Sequence, residues 1–254
     1  RRLIKDYVSN GSYKKFNVFV RINPRESGFL FDDVTNLSIE GIDGFLYPMA
    51  KSKEDIIFFS NLLTEIELSK GYEVGKFKIF PVIETSGGIL NSREICAASK
   101  RVVALGFGSE DFTTDLQSIR DIKGKSIFTP RALIAFAARS EGVIPIDTPY
   151  INLDDSDGLE KHCNDARILG FGGMQIIHPK EIETVHKVYT PNQKEIQNAK
   201  EIIKLSKEAE KENRGVVVMN EKFIGPPLVK RAKKLIDYAN LIESRASNKP
   251  KKNS

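Results

Sequence analysis

From Lys78 to Asp115 the chain reads KIFPVIETSGGILNSREICAASKRVVALGFGSEDFTTD, and this stretch restricts the fold more than any other. Two short apolar β-type runs, Lys78–Ile83 and Val102–Phe107, flank a helical pattern opened by Gly87-Gly88 and carried by Ile89, Leu90, Ile95 and Ala97. Strand, helix, strand is a βαβ crossover, which makes the neighbouring strands parallel and joins them with a right-handed turn. Each run is followed by a lone acid, Glu84 and Asp111, so both acids come to the carboxyl ends of adjacent strands, where α/β sheets and barrels place their chemistry. An acid after a strand also serves as a helix N-cap or a solvated loop residue. Two in matched places, with no His or Cys beside them, suit a hard, oxygen-ligated cation such as Mg²⁺ better than zinc.

The rest of the chain repeats this grammar. Leu3, Ile4 and Tyr7 read as the end of a helix, turning at Asn10-Gly11-Ser12. Phe16–Ile22 is the first strand and Gly44–Tyr47 the second, and Ser52-Lys53-Glu54-Asp55 resembles a capping box for a helix through Leu63. Beyond the central unit, a polar loop around Lys123-Gly124-Lys125 leads to a helix over Pro130–Ser140. Strands follow at Val143–Ile146 and Gly173–Ile177, with a helix bearing Leu159, Cys163, Ala166 and Leu169 between them. Alternation of this kind predicts a parallel α/β domain over residues 1–188. From Thr190 the pattern changes: a charged helix from Pro191 to about Lys211, an isolated β run at Gly215–Met219 and a last helix from Pro226 to about Ser244 form a helical arm over 189–247, and 248–254 reads as a disordered tail.

Composition narrows the class. Apolar residues make up 40% of the 254, enough for a core, and no run approaches the roughly 20 apolar residues of a membrane span. The net charge of +5 lies largely in the tail and last helices, without interleaved aromatics, so it reads as solvated faces in preference to a nucleic-acid surface. Cys96 and Cys163 stand far apart, which points to an intracellular, reducing setting, either cytoplasm or an organelle matrix. The chain opens on Arg1-Arg2 and not on methionine, so it is read as a processed or trimmed product. His162, His178 and His186 lack the i, i+4 pairing of a zinc motif, Gly106-Phe107-Gly108 runs into acids where a pyrophosphate would sit, and Gly71 to Lys76 lacks the spacing of a P-loop.

Five strand-end segments, VRINP (Val20 to Pro24), VIETSGGILN (Val82 to Asn91), GFGSEDF (Gly106 to Phe112), IDTPY (Ile146 to Tyr150) and IIHP (Ile176 to Pro179), resemble in this order the citrate lyase beta-subunit-like branch of the HpcH/HpaI aldolase family, and within it the stand-alone citramalyl-CoA and malyl-CoA lyases. The resemblance implies a TIM-type (β/α)8 barrel, here lacking the first two βα units and followed by the helical arm. It also implies Mg²⁺, an acyl-CoA thioester substrate, a homotrimer, and other lyase subunits as possible partners. Carried over by position, it makes Glu84 and Asp111 metal ligands, Arg21 the active-site arginine, and Gly108, Ser109, Glu110 and Arg131 substrate-binding residues.

Such residues suit cleavage of a 3-hydroxyacyl thioester between Cα and Cβ: a Lewis acid polarises the hydroxy or keto end, and the Arg21 guanidinium stabilises developing oxyanion charge. The base is unassigned, with Glu110 and a metal-bound water as candidates. Three positions depart from the family's pattern. Gly225 stands where an aspartate is commonly supplied to a neighbouring active site, and Met49 and Met174 stand at positions of lysines. An alternative reading is therefore a beta-like subunit or CoA-metabolite binding protein that is weakly active or inactive without a partner chain.

Overall fold

A computed structural model describes residues 1–11, 16–119, 121, 124–211, 217–219 and 222–247. In chain order the elements are α1 (Arg2–Ser9), β1 (Phe19–Arg21), α2 (Leu30–Leu37), β2 (Gly44–Tyr47), α3 (Lys53–Lys70), β3 (Lys78–Ile83), α4 (Ser86–Leu90), α5 (Ser92–Ala97), β4 (Ala104–Phe107), α6 (Ser109–Asp115), α7 (Lys125–Ser140), β5 (Ile144–Asp147), α8 (Ser156–Leu169), β6 (Gly173–Met174), α9 (Glu181–Tyr189), α10 (Gln193–Lys211), β7 (Val217–Met219), β8 (Lys222–Ile224) and α11 (Pro226–Ser247). They fall into two compact units, Arg1–Val185 and His186–Ser254.

In the first unit, strands β1 to β6 lie in sequential order, and every neighbouring pair is parallel. Sequential parallel order with helical crossovers is the curled α/β arrangement from which TIM-type barrels are built. Because such strands are covered by helices, they carry near-continuous apolar runs, and Phe45, Ile79, Ile83, Leu105 and Phe107 are fully buried. Helix α3 starts where the Asp55 carboxylate accepts from the N–H groups of Lys51 and Ser52, and it presents Ile56, Phe59, Leu63 and Ile66 to the sheet. Phe59 meets Tyr47 at 4.9 Å and Phe45 at 6.1 Å between ring centroids. Phe59→Ala would cost about 3–5 kcal/mol, the price of an emptied aromatic site in a close-packed core.

Several boundaries differ from expectation. The first strand is shorter, Phe19–Arg21, and the helix after β2 runs on to Lys70. The single helical pattern after β3 divides at Asn91 into α4 and α5, with Thr85 Oγ1 capping the first by accepting from the Gly88 N–H. Helix α7 begins at Lys125, a full turn ahead of Pro130.

In the second unit, α10 and α11 pack on one another around Ala199, Ile202, Ile224 and Ala232, with Ile203 and Leu205 of α10 and Leu228, Val229, Leu235 and Ile236 of α11 packed against that cluster. The β run expected to be isolated is not so: Val217–Met219 pairs antiparallel with Lys222–Ile224, a short hairpin whose partner strand the polar Lys222 and the brevity of the run concealed. Gly215, Ser12, Lys123 and the tail at 248–254 lie outside the described residues.

Candidate active site

Glu84 follows β3 directly and is only 4% exposed. Its Oε2 accepts a 2.7 Å hydrogen bond from the Met49 N–H, just past β2. To aim that N–H, Met49 adopts φ 54°, the left-handed region that side chains other than glycine enter at a cost of about 1–2 kcal/mol. Gly108, after β4, lies close against the other side of Glu84: a Cβ there would stand 2.5 Å from Glu84 Cγ, so only glycine lets the two strand ends approach. Arg21 closes β1, and its guanidinium lies 3.9 Å from Glu84 Oε1 while remaining largely solvated.

Helix α6 begins at Ser109, and Glu110 and Asp111 occupy its first turn, where the helix dipole favours negative charge. The start of α6 is tied to β5. Ser109 N–H donates to Thr148 Oγ1 at 3.2 Å, Thr148 Oγ1–H donates to Ser109 Oγ at 2.7 Å, and Ser109 Oγ–H donates to Glu110 Oε1 at 3.3 Å. A second tie runs from α4 to α6, since Asp115 Oδ2 accepts from the Ser86 N–H at 2.7 Å. The ends of β1, β3, β4, β5 and β6 thus open on one cavity of about 230 Å³, lined by Arg21, Leu46, Val82, Glu84, Gly108, Ser109, Glu110, Asp111, Thr148, Pro149 and Gln175.

The electrostatics of this cavity are uneven. Burial raises the Glu84 carboxyl above the usual carboxylate range; the Met49 N–H and the Arg21 charge pull it back, and the Asp111 charge raises it further. A solvated arginine at 3.9 Å is a weak counterion, worth well under about 1 kcal/mol at such exposure. A buried carboxylate with so little compensation, beside a second carboxylate on the same cavity, is the kind of oxygen donor set that a hard cation takes. Among the described residues no group of three or more His, Cys, Asp or Glu is placed so as to hold a metal ion.

Residues 1–179 match the family model for HpcH/HpaI aldolase/citrate lyase. The chain belongs to that family. Over 239 residues it is 34% identical to the citrate lyase subunit beta of Haemophilus influenzae, covering 94% of this chain and 82% of the relative. Over 237 residues it is 28% identical to the mitochondrial citramalyl-CoA lyase of Rattus norvegicus, covering 89% and 70%. Among solved structures, the CitE protein of Mycobacterium tuberculosis in complex with magnesium, acetoacetate and coenzyme A aligns with a TM-score of 0.69 at 23% identity, over 87% of this chain and 78% of that one, a likeness of fold. Relatives named as citrate lyase beta subunits, citramalyl-CoA lyase and malyl-CoA lyase are carbon–carbon lyases, and a further relative is named a (3S)-malyl-CoA thioesterase.

Of the site residues expected for a member of this family, the cavity brings together Arg21, Glu84, Gly108, Ser109, Glu110 and Asp111. Arg131 lies apart from these. It is 3% exposed, does not line the cavity, and its Nε and Nη2 reach Asp147 Oδ1 and Oδ2 at 3.1 and 2.6 Å, with Nη2 also donating to the His162 carbonyl. Nε and Nη2 thus grip Asp147 as a buried bidentate pair that braces the end of β5. Residues that sequence reasoning passed over are Thr148, Gln175 and the Met49 backbone. The quoted IDTPY segment contained the first of these, but its hydroxyl partner lies 39 residues away.

Proposed function

We propose that this chain is a Mg²⁺-dependent carbon–carbon lyase that cleaves a short hydroxyacyl-CoA thioester, citramalyl-CoA, malyl-CoA or a citryl thioester, to acetyl-CoA and a keto acid. The observation that carries the proposal is Glu84, a buried and under-compensated carboxylate that shares one cavity with Asp111 and Arg21. Glu84 and Asp111 would hold the ion, and bound there it supplies Lewis acidity toward the hydroxy and carboxylate oxygens of the acid end. Arg21, on the cavity wall beside Glu84, presents its guanidinium to oxyanion charge as it develops. Leu46 and Val82 give an apolar wall that keeps bulk water from the reacting carbons. At about 230 Å³ the cavity lies below the roughly 300–1,000 Å³ of pockets that enclose a drug-sized ligand, so it takes the short acid end and leaves the CoA moiety outside.

This reading extends to architecture and assembly. Strands β1 to β6 are taken as part of a (β/α)8 barrel lacking its first two βα units, residues 189–247 as a C-terminal helical arm, and the active species as a homotrimer. A second reading, a subunit or CoA-metabolite binder without turnover of its own, is motivated by Gly225 in place of the family's aspartate. Nothing in the local backbone demands that glycine, since a Cβ there would meet only Pro227 Cδ, at 3.7 Å.

The test is Mg²⁺-dependent release of acetyl-CoA from citramalyl-CoA and malyl-CoA, with Glu84→Ala as control and Gly225→Asp alongside. Turnover abolished in Glu84→Ala supports the lyase reading. Silence in both the parent and Gly225→Asp, with Mg²⁺ and CoA still bound, moves the assignment to the partner-dependent reading.

A further inference from the structure

Gln175, directly after β6, is anchored by an arrangement that determines what it offers the cavity. Its Nε2 donates to the Phe107 carbonyl at the end of β4 (2.9 Å) and to the Asp147 carbonyl at the end of β5 (3.4 Å), while its backbone N–H donates to the Asp147 carbonyl at 2.9 Å. Both amide hydrogens are therefore directed onto backbone acceptors. The opposite amide orientation would set an oxygen against two carbonyl oxygens, so the network itself fixes which end is nitrogen. The support is rigid, because the fully buried Asp147 is held by Arg131 through both carboxylate oxygens. What remains to Gln175 is Oε1, an uncharged acceptor that receives no donor among the described residues, on a side chain that lines the cavity.

An acceptor with no hydrogen to give distinguishes an alcohol from a ketone. Carbon–carbon cleavage of a hydroxyacyl thioester turns C–OH into C=O, and neither the keto acid nor the acetyl thioester carries an O–H at that position. We infer that Gln175 is a specificity-determining residue whose Oε1 accepts the hydrogen bond of the substrate hydroxyl, so that the site holds the hydroxy acid more tightly than the keto acid formed from it. This rests on the lyase reading above. The amide takes no proton: on cleavage the hydroxyl proton passes to the base and the Cα–Cβ electron pair to the departing thioester, and the amide oxygen that met the hydroxyl beforehand then faces the ketone oxygen, acceptor against acceptor. The loss of a matched acceptor thereby favours product departure. A carboxylate at this position would also accept, but it would add charge to a wall already bearing Glu84, Glu110 and Asp111 and would face two carbonyl oxygens.

The experiment is calorimetric binding, in Mg²⁺, of lactate (each enantiomer) and pyruvate, a pair that differs only at the hydroxyl. It is run on the full chain and on Gln175→Met and Gln175→Lys. The first variant removes donor and acceptor; the second retains a donor toward Phe107 and Asp147 and removes the acceptor, so it serves if loss of the anchor unfolds the first. The added charge of the lysine acts on both monocarboxylates alike, and the ratio of the two dissociation constants is the quantity read. The expected result is a preference for one lactate enantiomer over pyruvate that falls by roughly 3- to 10-fold in either variant through weaker lactate binding, with pyruvate affinity unchanged. A ratio unaltered in both variants, while both acids still bind, overturns the role of Gln175 and leaves the lyase reading standing. Failure of the parent chain to bind either acid in Mg²⁺ overturns that reading and this inference with it.

Discussion

At the amino end of β3 the Glu67 carboxylate is fully buried and accepts from the N–H groups of Phe77 and Gly75, at 2.8 Å each, and from Arg101 through Nη1 and Nη2 at 2.7 and 2.6 Å. At the carboxyl end of the same strand Glu84 is nearly as buried, yet it has one backbone donor and a solvated arginine at 3.9 Å. Burial works to raise both carboxyls. At Glu67 the Arg101 hydrogen bonds and the two N–H groups outweigh it and the carboxyl ends below its ordinary value; at Glu84 burial prevails and the carboxyl ends above it. One fold can thus satisfy a buried glutamate completely, and the contrast between the two ends separates a charge that holds the sheet together from a charge reserved for something else.

The comparison breaks most sharply at Glu84. Glu84→Gln is expected to lower the Mg²⁺-dependent cleavage rate on the order of a thousandfold, the scale of removing a direct electrostatic stabiliser from a site of this kind. Its stability in urea should hold or rise, because the substitution relieves a charge the fold disfavours. Arg101→Met should do the reverse. It leaves Glu67 buried without its partner, costing about 3–5 kcal/mol in urea unfolding, while the rate per folded molecule stays within about twofold. A variant at Arg101 that remained stable but lost turnover would show that the amino end also serves the reaction.

The pH dependence sharpens the same contrast. Glu67, with its folded carboxyl lowered, contributes stability that is fully present above the unfolded carboxylate value of about 4.3 and is lost as pH falls through the lower folded value. Glu84, with its folded carboxyl raised, has the opposite sign: its ionisation subtracts from stability at neutral pH, and the penalty fades as pH falls through the raised value toward about 4.3. Glu67→Gln should therefore flatten the acid limb of a stability profile, and Glu84→Gln should lift its neutral region. Added Mg²⁺ should raise the Tm of the parent chain, by the equivalent of about 2.7 kcal/mol at a hundredfold excess over Kd, and should leave Glu84→Gln unmoved. An equal rise in both would remove Glu84 from the ligand set.

The two ends were not equally legible in the sequence. Glu84 and Asp111 could be assigned to one face because a βαβ crossover permits little else, and strand β2 could be bounded by Pro48. The pairing of Arg131 was not legible, because sequence reveals a guanidinium but not which acid will lie across from it; Asp147, 16 residues on, meets it in the core. Glu67 and Arg101 are 34 residues apart on a helix and a strand approach, and each alone reads as a solvated charge. Gln175 and Met49 act through an amide anchor and a backbone N–H, contributions that residue type does not announce.

The smallest expected effect lies in the turns that aim those backbone donors. Gly75 delivers its N–H to Glu67 from φ 96°, and Met49 delivers its N–H to Glu84 from φ 54°. Glycine enters the left-handed region freely, whereas methionine meets its own Cβ, so the site end carries backbone strain that the amino end avoids. Met49→Gly removes about 1–2 kcal/mol of that strain but enlarges the conformational freedom of the unfolded chain by about 0.4–1 kcal/mol, leaving a net gain between about 0 and about 1.6 kcal/mol. Since the N–H to Glu84 survives the substitution, Mg²⁺-dependent turnover should change by less than about twofold. Urea unfolding and the cleavage rate, measured on Met49→Gly beside Met49→Ala, read the two parts separately: alanine keeps the strain and should gain nothing. Should the glycine variant lose turnover while alanine retains it, the stiffness of the Met49 turn, and not only its N–H, would be part of what holds Glu84 ready.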